Sequence, residues 1–218
     1  MKVVLIFGIA TMFVLQIVAQ TPPTWGGNPR YTVKVGMVNN DPKVNWTFTY
    51  FYDWSQKAER YEHGEGQEDE FCLLAQTPFS KGGLPCVATF ANDGWGYISY
   101  PTKNFCCKCT KSFGAINYNW LKDNSTYEGI TTIDGKSVTH WTKQGLYLNH
   151  YYSTVDKQLP VYFHEIKKGN PKDWIFHLDT YTTGPIDPAK LGPQCSTRCL
   201  GTCDFFAEKD GNLQTASE

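Results

Sequence analysis

Eight cysteines follow an N-terminal stretch that reads as a cleavable leader, and together they constrain this fold more than anything else in the sequence. Met1-Lys2 gives a positive start, Val3 to Val18 is almost wholly apolar, and Ala19 precedes Gln20 and the polar Thr21-Pro22-Pro23. This is the charged, apolar, small-residue order of a secretory signal peptide, so residues 1–19 are expected to leave on export. The alternative is a membrane anchor, but the run falls slightly short of a comfortable span of about 20 residues. No second apolar run follows, so the mature chain is expected to carry no membrane span. An exported chain matures in an oxidising compartment, where cysteines become bridges before anything else.

Cys72, Cys86, Cys106, Cys107, Cys109, Cys195, Cys199 and Cys203 are even in number and suit four bridges, with the connectivity left open. Cys106 and Cys107 are neighbours and point to opposite faces of a strand, so they are expected to have different partners. The terminal trio is expected to staple back onto the central Cys106–Cys109 cluster. Such a bridge closes a long loop and contributes about 2–4 kcal/mol. The rival reading is a zinc site built from both clusters. Spacings of CCxC and CxxxCxxxC lack the CxxC pairs of structural zinc, and no metal is expected.

Aromatic residues make up 15% of the chain, with 13 tyrosines and 13 phenylalanines, and they suit pleated, half-buried surfaces. Runs rich in alanine, leucine and glutamate are missing, so the fold class reads as mostly β. Alternation predicts strands at 31–38, 44–54, 57–63, 85–90, 95–100, 104–110, 127–132, 137–142, 146–153, 160–165 and 174–178, with one helical turn near 119–123. Turn signals at Asn92-Asp93-Gly94 and Asp134-Gly135 suggest an antiparallel sheet in meander order. One β-rich domain, 20–206, and a polar tail, 207–218, complete the organisation.

Trp46, Phe48, Tyr50, Tyr52 and Trp54 share one face of the second strand by its period of two. They form either a core-facing wall or the lining of a cavity for an apolar ligand, to which Tyr147, Tyr151 and Phe163 would add. Chemistry is less legible. HExxH, a nucleophile elbow and a phosphate loop are absent, and nothing implies a cofactor. His150 and His164 can meet across a hairpin, with His177 on a neighbouring strand. Asp53, Glu59, Glu165 and Asp179 are the carboxylates a glycan hydrolase would draw on, if two stood about 5–10 Å apart in a cleft. The acidic run Glu65 to Glu70 lacks the spaced ligands of an EF-hand loop and reads as solvated. A net charge of −1, or −2 once Lys2 is lost, disfavours nucleic acid as a partner. Asn45-Trp46-Thr47 and Asn124-Ser125-Thr126 fit the N-glycosylation pattern.

Gly94-Trp95, Tyr100-Pro101, Cys106-Cys107-Lys108, Asn119-Trp120-Leu121-Lys122, Ser125-Thr126-Tyr127-Glu128-Gly129, Ile133-Asp134-Gly135 leading to Trp141, and Gly184-Pro185 with Asp187-Pro188 before Cys195 form a pattern over most of the mature chain. It resembles a group of secreted eukaryotic proteins and, more remotely, the ependymin-related proteins. The resemblance implies a fold like the bacterial lipoprotein carriers: a single strongly curved antiparallel sheet, a half-barrel, with one or two short helices and disulfide staples. It also implies secretion, glycosylation, links to calcium and extracellular matrix, and acyl-chain binding. Members often carry a cysteine shortly before the position of Trp141, where this chain has Ser137-Val138-Thr139-His140. The expected function is therefore a non-enzymatic, secreted, disulfide-bonded glycoprotein holding a lipid or other hydrophobic small molecule. The alternatives are a matrix protein without a ligand and a glycan-acting hydrolase.

Overall fold

The computed structural model describes residues 20–39, 45–64, 72, 77–79, 83–111, 114–145, 147–166 and 171–200. The leader, the acidic loop 65–70, Cys203 and the polar tail lie outside the described residues. The strands are β1 (Arg30–Asn39), β2 (Asn45–Asp53), β3 (Ala58–His63), β4 (Cys86–Phe90), β5 (Trp95–Tyr100), β6 (Phe105–Lys111), β7 (Ser125–Ile133), β8 (Lys136–Gln144), β9 (Leu148–Thr154), β10 (Pro160–Ile166) and β11 (Lys172–Thr183). A short helix, α1 (Pro188–Leu191), follows, with the Asp187 side chain accepting from the Ala189 N–H as its cap. The helical turn expected near 119–123 is a pair of hydrogen-bonded turns instead, with Trp120 N–H donating to Asn117 O and Lys122 N–H to Asn119 O.

The eleven strands make one antiparallel sheet in the order β6-β5-β4-β3-β2-β1-β11-β10-β9-β8-β7. This corrects the expectation of a single meander. Two meanders run back to back, joined where β1 pairs with β11 from Tyr31↔Thr183 to Asn39↔Lys172. The reason lies in β1: Tyr31, Val33 and Val35 are fully buried, and a strand so apolar is better flanked on both sides than left at an edge.

Local chemistry sets the turns. Asp134 (φ 48°) and Gly135 (φ 73°) supply the two left-handed residues of the tight β7–β8 hairpin. β2 stops one residue earlier than expected. The Asp53 carboxylate accepts from the Ser55 and Gln56 N–H groups and turns Trp54–Gln56 into a 3-10 turn, closed by Lys57 at φ 54°.

Ring contacts show how strongly the sheet curls. β3 and β11 are three strand steps apart, about 14 Å in a flat sheet. Yet the Tyr61 ring on β3 lies 6.0 Å from the Trp174 ring on β11. The inner side chains converge, and the sheet remains open, with β6 and β7 as its two ends.

Bridges Cys72–Cys86, Cys106–Cys195 and Cys107–Cys199 are formed, and Cys109 is disulfide-bonded as well. The adjacent pair Cys106 and Cys107 takes different partners, and the terminal segment is stapled to β6, both as expected. A parallel bridge, Lys108↔Arg198, runs beside the staples. Lys108 N–H donates to Thr197 O at 2.7 Å, and Cys199 N–H donates to Lys108 O at 3.0 Å. Among the described residues, no helix is long and apolar enough to cross a membrane.

Candidate functional site

The inner face is a continuous aromatic lining. Trp46, Phe48, Tyr50 and Tyr52 from β2, Tyr151 from β9 and Phe163 from β10 all lie in one buried cluster, as their alternation predicts. Trp54 left the strand with the 3-10 turn but still packs half-buried against that cluster. Tyr147 is a correction: it precedes β9, in the β8–β9 turn, where its carbonyl accepts from Gly145 N–H and Asn149 Nδ2. The face also recruits Tyr31 from β1, Tyr61 from β3, and Trp174 and Phe176 from β11, which the sequence reading did not assign to it. Period-two patterning in β1 and β11 was the available signal.

Two segments close over this lining. Trp25, 1% exposed, sits among Tyr151 and Phe163 at 5.5 Å, Trp120 at 5.7 Å, Phe176 at 6.3 Å and Trp174 at 6.4 Å between ring centroids. Its Nε1 donates to Tyr50 Oη at 3.2 Å. Gly26, at φ 69°, lets the chain pass directly over Tyr31: a Cβ there would stand 2.0 Å from the ring. The β6–β7 connection is the second segment. Ala115 N–H donates to Lys57 O, Tyr52 Oη to Ile116 O at 2.7 Å, and Trp25 N–H to Tyr118 O at 2.8 Å, while Leu121 is fully buried. This strap is a single layer of chain.

One carboxylate lies inside. Glu59 is fully buried and accepts from Tyr50 Oη at 2.7 Å, Tyr61 Oη at 2.8 Å and Ile116 N–H at 3.2 Å. Burial pushes its carboxyl up to about 7, against the opposing pull of those three hydrogen bonds. Tyr50 and Tyr61 are raised in turn, first by burial and then by the neighbouring Glu59 charge. Tyr31 Oη, Trp46 Nε1 and Trp141 Nε1 are buried without a hydrogen-bond partner. The other hydrolase candidates stand elsewhere. Asp53 caps the 3-10 turn, Glu165 pairs in register with Lys172 near the end of β10, and Asp179 is exposed on β11.

The outer face carries a second constellation. His150 stands opposite His164 in register, and His164 opposite Asp173. His140 reaches His150 diagonally, with His140 Nε2 and His150 Nδ1 2.9 Å apart. His164 Nδ1 is paired with Asp173 Oδ1. The third histidine of the group is thus His140; His177 is exposed farther along β11, opposite Lys34. Partial burial, then the neighbouring imidazole, lowers the pKa of both His140 and His150. Among the described residues, no group of three or more His, Cys, Asp or Glu side chains is set to hold a metal ion. A separate recess of about 520 Å³ opens mainly on the outer face, lined by Lys34, Thr47, Thr49, Arg60 and Glu62 with the edges of Phe48 and His63. Arg60 is already engaged there, with Nε 2.9 Å from Glu62 Oε1. Both sequon asparagines, Asn45 and Asn124, are exposed.

By sequence the chain matches no family model and no curated protein. By fold it is similar to a number of solved structures, among them the three that follow. An uncharacterised conserved protein of Thermus thermophilus is 10% identical, over 78% of this chain and 88% of that one, with a TM-score of 0.49. The lipoprotein LppX of Mycobacterium tuberculosis is 11% identical over 72% and 88%, with a TM-score of 0.39. MucB in complex with MucA is 12% identical over 78% of this chain, which spans 56% of MucB, with a TM-score of 0.31. Every TM-score is below 0.5, and none of these likenesses bears on what this chain binds.

Proposed function

We propose that the protein is a secreted, disulfide-bonded, non-enzymatic binding protein whose aromatic inner face takes a hydrophobic ligand bearing a small polar end. One observation carries this reading: an open sheet presents a continuous aromatic face that holds buried polar atoms without partners. A buried donor left unpaired costs about 1–3 kcal/mol, so a ligand that supplies the missing acceptor recovers free energy beyond the burial of its apolar part. The strap and Trp25 cover the lining, and a ligand reaches it by displacing them. Solvent access to Asn45 and Asn124 supports glycosylation in the secretory pathway.

The matrix-protein reading has its own support in the density of ring contacts, such as Tyr50–Tyr61 at 5.0 Å. One experiment separates the two. Purified secreted protein is titrated with cis-parinaric acid and with a fluorescent sixteen-carbon alcohol. Saturable one-to-one uptake that quenches tryptophan emission supports the binding protein. Failure of both probes to bind leaves the aromatic face as core alone.

A further inference from the structure

The histidine row on the outer face is independent of the aromatic interior and has no role in the reading above. Its geometry is specific. The rings of His140 and His150 are nearly parallel, at 17°, with centroids 5.2 Å apart. Two imidazoles bound to one tetrahedral ion at about 2.0–2.1 Å have centroids about 5.2 Å apart, and about 4.5 Å apart on a square-planar ion. The observed spacing is therefore already that of two ligands on one ion. Only the direction of the nitrogens differs: Nε2 of His140 and Nδ1 of His150 face each other across a shared proton at 2.9 Å. Changes in χ1 and χ2 of the two side chains, with the strands held in register, are what would turn both lone pairs toward one point.

We propose that His140 and His150 form a chelating pair for a divalent transition cation of the zinc and copper class, with solvent completing the coordination. Imidazole nitrogen is a borderline donor that suits these ions and not calcium or magnesium. The strands hold the pair rigidly: β8 and β9 are locked in register from Val138↔Thr154 to Gln144↔Leu148. Tyr152 stacks on one face of the His140 ring at 4.3 Å. Both histidines are half-buried. The neighbourhood favours a cation, with Glu128 on β7 and Asp173 on β11 flanking the row. His164, whose ring lies 5.7 Å from that of His150, is the nearest further imidazole.

The full secreted chain, stripped with chelator, is titrated with Zn²⁺ and with Cu²⁺ by calorimetry, beside His140→Ala, His150→Ala and His177→Ala. The parent should bind one equivalent. His140→Ala and His150→Ala should each lose about tenfold or more in affinity, no less than the loss of a group that merely orients a ligand. His177→Ala, exposed and outside the row, should titrate like the parent. His140→Gln and His150→Gln keep the side-chain volume and should reproduce the loss if alanine loosens the strands. Parent-like affinity in either histidine variant, or a parent that takes up neither ion, overturns the proposal.

Discussion

The two ends of this sheet solve the same problem differently. An edge strand exposes unpaired N–H and C=O groups that invite another chain. At β6 part of the edge is covered: the segment at Arg198 makes an isolated parallel bridge to Lys108, and two disulfides hold it there. At β7 nothing comparable is seen among the described residues. That strand pairs only with β8, its burial alternates between exposed and intermediate, and Ile130 is 59% exposed. Its defence is local. A bulge between Tyr127 and Gly129, with Gly129 at φ 116°, breaks the ladder, and an exposed sequon asparagine, Asn124, stands just before it. All eight cysteines lie outside β7–β11, so covalent cross-links serve one wing and packing alone serves the other.

The largest expected effect breaks the covered end. The Cys106 and Cys107 bridges span 89 and 92 residues, so each closes essentially the same loop. Their contributions should therefore be far from additive. Losing one leaves the loop shut by the other, whereas Cys106→Ser/Cys107→Ser/Cys109→Ser releases the segment and costs about 4–5 kcal/mol in the chain-entropy model. Urea denaturation of Cys106→Ser/Cys195→Ser beside the triple variant measures this. Equal losses in both would mean the bridges act through local packing.

A second effect sharpens the contrast between a wing built on a buried carboxyl and one that, among the described residues, has none at its centre. The folded state holds the Glu59 carboxyl at about 7, above its ordinary 4.5, so between those values the folded chain binds the extra proton. Its contribution to stability is fully present below about pH 4.5 and is lost as pH rises through 7, by about 3 kcal/mol in all. Glu59→Gln, which cannot ionise, should flatten that slope. Midpoints of urea unfolding at pH 4.5, 6 and 7.5 read it directly, and a parent curve already flat over this window would remove Glu59 as the cause.

What was legible in the sequence follows the range of the interactions. Period-two alternation located all eleven strands, because it depends on neighbours in the chain, but it stopped β11 five residues short of its end at Thr183. The staple was legible because adjacent cysteines in a strand cannot share a partner. The β1–β11 junction was not: it depends on which apolar strand most needs two neighbours, a property of the assembled sheet. Trp25 and the strap were hidden for the same reason, since nothing local ties Trp25 to Trp120, 95 positions away, beyond the glycines that follow it. Trp54 was lost to a competing local interaction, the Asp53 cap. His140 replaced His177 because the register sets Asp173 opposite His164, four residues short of His177.

The smallest expected effect tests the open end. Ile130→Lys places a charge on an edge side chain that is mostly in water, and should shift stability by no more than about 0.5 kcal/mol. The same change at Ile98, fully buried on β5 in the stapled wing, should leave too little folded protein to measure, since it buries an unpaired ammonium. A loss above about 2 kcal/mol at Ile130 would mean that the β7 edge is covered in solution, and its concentration dependence would tell a second copy from a contact within the chain. A small loss, with sedimentation unchanged from the parent, would mean that the strand's local features keep this edge unpaired and that the asymmetry between the two ends of the sheet persists in solution.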